Sequence, residues 1–252
     1  MSISDKLITI ADNQQKVFDA GYEKGKSEGG GDNWYDTFWN GFQNNGNRMD
    51  YAQAFRGAGW RGSTFKPKYN MTVTNGSYFL YASGVQADPI DLIALEEDGL
   101  IIDFSQCTKI EAAFSQSLCL ATVGTVDLSS MTGIVNSLFS LSRFITKIKL
   151  LKLHEGITSY PSMFKNCDRL EEIAIDGVIS ADLDFKSSPL NMASLKSIIT
   201  HLKNYKGTEK EWTYTLTLSS ESKTLLDNAG TTSPNNTTWE IYITESLGWN
   251  LA

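Results

Sequence analysis

Five phenylalanines recur along this chain at nearly constant spacing: Phe55, Phe79, Phe114, Phe139 and Phe164. The intervals are 24, 35, 25 and 25 residues, and each phenylalanine has a small residue three places on: Ala58, Ala82, Ser117, Ser142 and Cys167. A fixed period of this length predicts stacked units rather than one irregular globule. A single such unit cannot bury its own apolar face, so its neighbours must do so. Architectures of this kind usually bind and rarely catalyse.

Strand patterns follow the later phenylalanines. After Phe164 the frame is Leu170-x-x-Ile173-x-Ile175-x-x-Val178, and after Phe139 it is Ile145-x-x-Ile148-x-Leu150-x-x-Leu153. After Phe114 the same frame falls three residues late, at Val123-x-x-Val126-x-Leu128-x-x-Met131. A shorter copy is Ile102-x-Phe104-x-x-Cys107. Alternating apolar residues point to one side of a short strand. The phenylalanine then closes the same core from a returning turn or helix. The spacing predicts neighbouring parallel strands at 102–104, 126–128, 148–150 and 173–175.

The L-x-x-L-x-L frame is the leucine-rich repeat signature. Units such as "SMFKNCDRLEEIAID" resemble the BspA-like leucine-rich repeats of bacterial surface and prophage proteins, over roughly residues 51–252. The expected fold is therefore α/β: a leucine-rich repeat solenoid, with a parallel β-sheet and helical or 3-10 returns, preceded by an N-terminal helix. One departure stands out. The family's asparagine ladder position is filled here by Cys107, Met131, Leu153 and Val178. The stretch from "KVFDAGYEKG" through "YDTFWNGFQNNGNRMDYAQAFRGAGW" to "FKPKYN" also resembles the N-terminal region of prophage-encoded repeat proteins. The resemblance implies a virion-associated or host-attachment protein. The partners implied are a host surface glycan or protein, or other virion proteins. A bacterial cell-surface adhesin or an interaction scaffold of the same repeat type is the alternative.

Four segments are expected: 1–31, a helix and glycine-rich hinge; 32–70, an aromatic-rich cap; 71–188, the repeats; and 189–252, longer β/α units with a closing cap. In the first, Ile3, Leu7, Ile10, Gln14 and Val17 follow 4- and 3-residue steps, a coiled-coil seam. That seam would join chains, with a trimer favoured by resemblance to fibrous phage attachments; a helix packed on its own domain is the alternative. In the second, Trp34, Trp39, Phe42, Tyr51, Trp60 and Tyr69 either cover the open end of the stack or stack on sugar rings. Pro89, with Ile90, Ile93 and Ala94 on one face, predicts a helix inserted before Ile101. Further on, a strand at Leu183 and Phe185, a helix over 194–205, a strand at "YTLTLS" and two closing helices are expected.

The net charge of −7 argues against a nucleic-acid footprint, which is basic. No apolar run reaches the ~20 residues of a membrane span. The start, MSISDKLITIADNQQ, lacks the basic and apolar regions of a signal peptide, which fits release by lysis better than secretion. Cys107, Cys119 and Cys167 read as small core residues. No C-x-x-C, H-E-x-x-H, G-x-S-x-G or phosphate loop is present, so neither an enzyme nor a cofactor or metal site is expected.

The candidate binding surface is the outward row of the strands. Asp103, Asp127 and Lys149 occupy one place in successive units, and Ser105, Ser129, Leu151 and Asp176 the next. Two adjacent aspartates there could serve as acid and base or hold a cation; the bland alternative is a solvated sheet face.

Overall fold

The computed structural model describes the backbone of residues 48–50, and residues 70–81 and 89–252. The expected coiled-coil seam (Ile3, Leu7, Ile10, Gln14, Val17), the aromatic segment up to Tyr69, and Phe55 with Ala58 lie outside the fully described residues. The chain is a mixed α/β structure, and its described strands all pair in parallel. Strands β3 (Ile90–Asp91), β5 (Leu120–Leu128), β7 (Lys147–Leu153) and β9 (Glu172–Gly177) form one sheet in that order. A second sheet orders β1 (Arg48–Asp50), β2 (Met71–Asn75) and β4 (Ile102–Asp103). Strand β6 (Gly133–Ile134) pairs with β8 (Ile157–Ser159). Strands β10 (Leu183–Phe185), β11 (Thr215–Leu218) and β12 (Asn250–Leu251) make a third sheet.

The phenylalanine period is physical. Phe114, Phe139 and Phe164 are buried and stack with ring centroids 5.5 Å apart at each step, tilted by only 10° and 14°. Phe185 extends the stack at 4.4 Å, and Phe79 and Phe104 meet its other end edge-on. The small residue three places on has a task. Ser117 donates to the Leu80 carbonyl, Ser142 to the Phe114 carbonyl and Cys167 to the Phe139 carbonyl, each reaching back to the preceding unit.

The returns in these units are turns, not the helical or 3-10 segments expected. Each phenylalanine is flanked two residues before and two after by left-handed residues: Ala112 and Gln116, Ser137 and Leu141, Ser162 and Asn166. This conformation is uncommon outside glycine. It aligns the main-chain donors along the stack. The N–H groups of Ala112, Phe114 and Gln116 donate to the carbonyls of Asn136, Leu138 and Ser140. Those of Ser137, Phe139 and Leu141 donate to Pro161, Met163 and Lys165.

The sheet register corrects the sequence frame. Val123 pairs with Ile148 and Ile148 with Ile173, but Val126 pairs with Leu151 and Leu128 with Leu153. The buried positions are Leu120, Val123, Val126 and Leu128 in β5, and Ile145, Ile148, Leu151 and Leu153 in and before β7. Both sets begin six residues after the phenylalanine and are offset by 25. The expected inward residue Leu150 is therefore half-exposed, and Leu151, expected outward, is fully buried. Strand β9 keeps strict alternation at Ile173 and Ile175, so a register shift falls between Ile148 and Leu151. Strand β4 is also displaced: it pairs with β2, and β3 holds the place beside β5.

The cause of that displacement is the inserted helix, α1 (Leu92–Glu97), capped by the Asp91 carboxylate accepting from the Ala94 N–H. It starts at Leu92, three residues after the start expected at Pro89. Leu92 and Leu95 face the core, Ile90 lies in β3 and Ala94 is exposed. Both edges of the main sheet are sealed by side chains. On one edge the Glu96 carboxylate accepts the Thr125 N–H, at 2.8 Å. On the other, α2 (Met192–Thr200) lies along β9, and the Ser194 and Ser197 hydroxyls accept the Ile173 and Ile175 N–H groups, each at 2.8 Å. An uncovered edge would be a template for another chain.

The C-terminal part follows expectation in element order, but the helix expected over 194–205 begins at Met192 and ends at Thr200, leaving Tyr205 outside it. Helix α2 buries Leu195, Ile198 and Ile199; α3 (Ser220–Asn228) buries Leu226; α4 (Trp239–Ile241) runs on into a π-turn at Tyr242–Ser246. Asn191, Ser219 and Thr238 cap these helices, satisfying N–H groups that a helix start leaves open. Trp249 is fully buried against Tyr205 and Tyr214. Among the described residues, no helix is long and apolar enough to cross a membrane.

Candidate functional site

The outward face of the main sheet carries Asp127, Lys149 and Asp176 of the residues singled out from the sequence, in a different arrangement. The aligned row is Asp127, Lys152 and Asp176; the expected rows placed Asp127 with Asp103 and Lys149, and Asp176 with Ser105, Ser129 and Leu151. The Lys152 ammonium lies 3.2 Å from the Asp127 carboxylate. Lys149 sits one step earlier and bonds Glu96 of α1 at 2.9 Å. Below it, Lys147 meets Glu172 at 2.7 Å. Ion pairs of this exposure contribute ~0–1 kcal/mol each. They leave a neutralised surface of alternating sign.

Partial burial opposes ionisation of Asp127, but hydrogen bonds from Ser129 and the Lys152 ammonium outweigh it and hold its pKa below the ordinary value. Glu96 behaves alike: burial opposes its charge, and Lys149 with Thr125 lowers its pKa overall. A carboxylate held ionised and paired is poorly placed as a proton donor at neutral pH.

Asp103 and Asp127 have a second, local task. The Asp103 carboxylate accepts the Ser105 N–H at 2.8 Å, and the Asp127 carboxylate accepts the Ser129 N–H at 2.9 Å. Both are Asx turns that end a strand. Asp184 does the same for Lys186. Ser105 thus acts through its backbone, and Ser129 through both its backbone and its hydroxyl; Asp-x-Ser at a strand end is the sequence signal. The Asp176 carboxylate accepts the N–H of Gly177.

Asp103 and Asp127 belong to different sheets but reach one cleft. It lies between α1, β4 and β5, encloses about 240 Å³, and is floored by Leu92, Leu95, Phe104 and Val126. Glu96 stands at its edge, and Lys149 joins through Glu96. Asp176 lies two strands from Asp127 and does not line it, and Leu151 is interior. A Cβ on Gly124 would lie 2.3 Å from Glu96 Oε2, so a larger residue there would displace the Glu96 carboxylate.

The sequence frame missed Glu96, Lys147, Lys152 and Glu172. Two of the pairs were legible, because Lys152 is 25 residues from Asp127 and Glu172 is 25 from Lys147. The fixed period, applied without the apolar frame, aligns both. Among the described residues, no group of three potential metal ligands is clustered. Comparison with protein-family models, curated proteins and solved structures yields no match for this chain.

Proposed function

We propose that the chain is a non-catalytic, leucine-rich-repeat-type binding protein of a phage or prophage particle, associated with the tail or with host attachment. The observation that supports this reading is the 25-residue recurrence of Phe114, Phe139 and Phe164 together with the row Asp127, Lys152 and Asp176. Stacked identical units extend a flat contact surface one strand at a time, a geometry suited to recognition of a host surface glycan or protein, or of another particle protein. The N-terminal seam Ile3, Leu7, Ile10, Gln14 and Val17 would gather several such surfaces, and joined weak sites gain avidity.

Two experiments test the reading. Mass spectrometry of purified particles released from the strain carrying the gene should detect this chain at stoichiometric level; its absence from particles, with recovery on the cell envelope, would turn the assignment to a bacterial adhesin. Light scattering should give a trimer for the full chain and a monomer for a chain starting at Asp32. A full-length monomer at micromolar concentration removes the seam as an assembly element.

A further inference from the structure

The returning turns carry their main-chain donors forward from unit to unit, and the series has an end. Gly76, Tyr78 and Leu80 donate to Lys109, Glu111 and Ala113; the next two units repeat the pattern. The last unit of the kind has left-handed residues at Ser162 and Asn166, like its predecessors. Its carbonyls at Pro161, Met163 and Lys165 accept from the unit before. Yet its own donors, the N–H groups of Ser162, Phe164 and Asn166, reach no acceptor among the described residues. The next segment is the strand β10, which pairs in parallel with β11.

A groove of about 570 Å³ opens at this junction. One wall is Ser159, Pro161 and Ser162; the others are Asp182 and Asp184 of the β10 segment and Thr213, Thr215 and Thr217 along β11. Asp184 stands beside Thr217 in register, and the Asp182 carboxylate accepts the Thr215 N–H at 2.7 Å. Carboxylates and hydroxyls therefore form a grid with spacings of about 4.8 Å across strands and about 6.6 Å along them. Next to Thr213, Trp212 is 45% exposed and held at φ 62°. Its N–H donates to the Gly248 carbonyl and its carbonyl accepts from the Asn250 side chain, which fixes this uncommon conformation.

We infer that this groove is a binding site for a neutral saccharide. Ser162 offers a main-chain donor, five hydroxyls can donate or accept, and the two aspartates are acceptors. A ligand that matches all three must both donate and accept at short intervals, as the hydroxyls of a sugar ring do. An anion would meet two carboxylates, and a bare cation would leave the donor unmet. Trp212 does not itself line the groove; the Lys206 ammonium lies over its ring, 5.6 Å from the centroid. The site lies apart from the Asp127, Lys152 and Asp176 row and does not depend on that row binding anything.

The test is an array of neutral and uronic-acid oligosaccharides probed with the full chain, followed by titration of the strongest ligand under amide NMR. Binding to neutral glycans is expected, with the Ser162 amide resonance moving on titration. Asp184→Asn keeps an oxygen for the Lys186 N–H and should weaken binding at least fivefold. Thr217→Val, of equal volume, should do the same while leaving the melting curve in place. Lys152→Glu, on the other face, should leave saccharide affinity unchanged. An array without neutral-glycan binding overturns the inference. So does binding that survives both groove substitutions with a stationary Ser162 resonance.

Discussion

Phe139→Ala tests the stack where it is most regular. Phe139 is fully buried, with Phe114 and Phe164 at 5.5 Å on either side and nearly parallel to it. Truncating a buried phenylalanine costs ~3–5 kcal/mol, including the cavity left behind. Each stacked neighbour accounts for ~0.5–1.5 kcal/mol beyond area burial, so the two together supply ~1–3 kcal/mol of that total. The separable quantity is the coupling. A double-mutant cycle of Phe139→Ala with Phe164→Ala should return ~0.5–1.5 kcal/mol. The same cycle with Phe185→Ala should return less than ~0.5 kcal/mol, because Phe164 lies between the two rings. Urea unfolding read by circular dichroism, fitted with a common slope, gives all four terms. A single-mutant cost below ~1.5 kcal/mol would contradict a ring wedged between two others. Equal couplings for the near and far pairs would contradict nearest-neighbour stacking.

Gly177→Ala should destabilise by about 3 kcal/mol or more, since Gly177 has φ 90° and a Cβ there would lie 2.0 Å from the Leu153 carbonyl oxygen; chemical denaturation measures it, and a near-neutral result refutes the close approach. Ser194→Ala leaves the Ile173 N–H without its acceptor at a buried site and should cost ~1–3 kcal/mol, whereas Ser197→Ala, at a half-exposed site where water can substitute, should cost less. Hydrogen exchange should quicken at Ile173 in the first variant and at Ile175 in the second; unchanged protection would mean that α2 does not seal the edge. Asp127, with its folded pKa depressed, contributes stability that is present above its unfolded pKa of ~3.9 and is lost as pH falls through the lower folded value. Lys152→Met should therefore shrink the loss of stability between about pH 5 and pH 2; an acid limb identical to that of the parent protein would show that the ammonium does not act on this carboxylate.

The parts of the fold legible in the sequence were those fixed by size and period. A large ring every 25 residues with a small neighbour three places on has few solutions, and the stack follows from it. The strand phase was harder, because Leu150 and Leu151 are adjacent and equally apolar. Hydropathy alone cannot say which enters the core; counting six residues from each phenylalanine selects Leu120, Ile145 and Leu170, and then Leu151. Strand β4 was misplaced because an extra helix in the long interval between Phe79 and Phe114 moves it to another sheet, and no local pattern encodes that choice. The candidate face was half legible. Asp127 and Asp176 are both on the outward face as expected, but Asp176 aligns with Lys152 rather than with Leu151, Lys152 takes the place given to Lys149, and the turn bonds of Asp103 and Asp127 follow from their position at strand ends rather than from a repeat of charge.

The two sealed edges have a consequence for how such a protein can change over generations. Glu96 closes one side of the main sheet, and Ser194 with Ser197 closes the other. Between them, the unit around Phe139 repeats the contacts of the unit around Phe114. Duplication or loss of one 25-residue stretch therefore preserves every ring contact, every reach-back bond and both closures. The width of the exposed face can then grow or shrink in quanta of one strand spacing, about 4.8 Å, with no new end to invent. An insertion of another length has to be absorbed outside the stack, as in the 35-residue interval between Phe79 and Phe114, which holds α1 and still keeps the two rings in contact. Lineages of this chain should accordingly differ in whole units, and the reach of the face becomes a heritable integer.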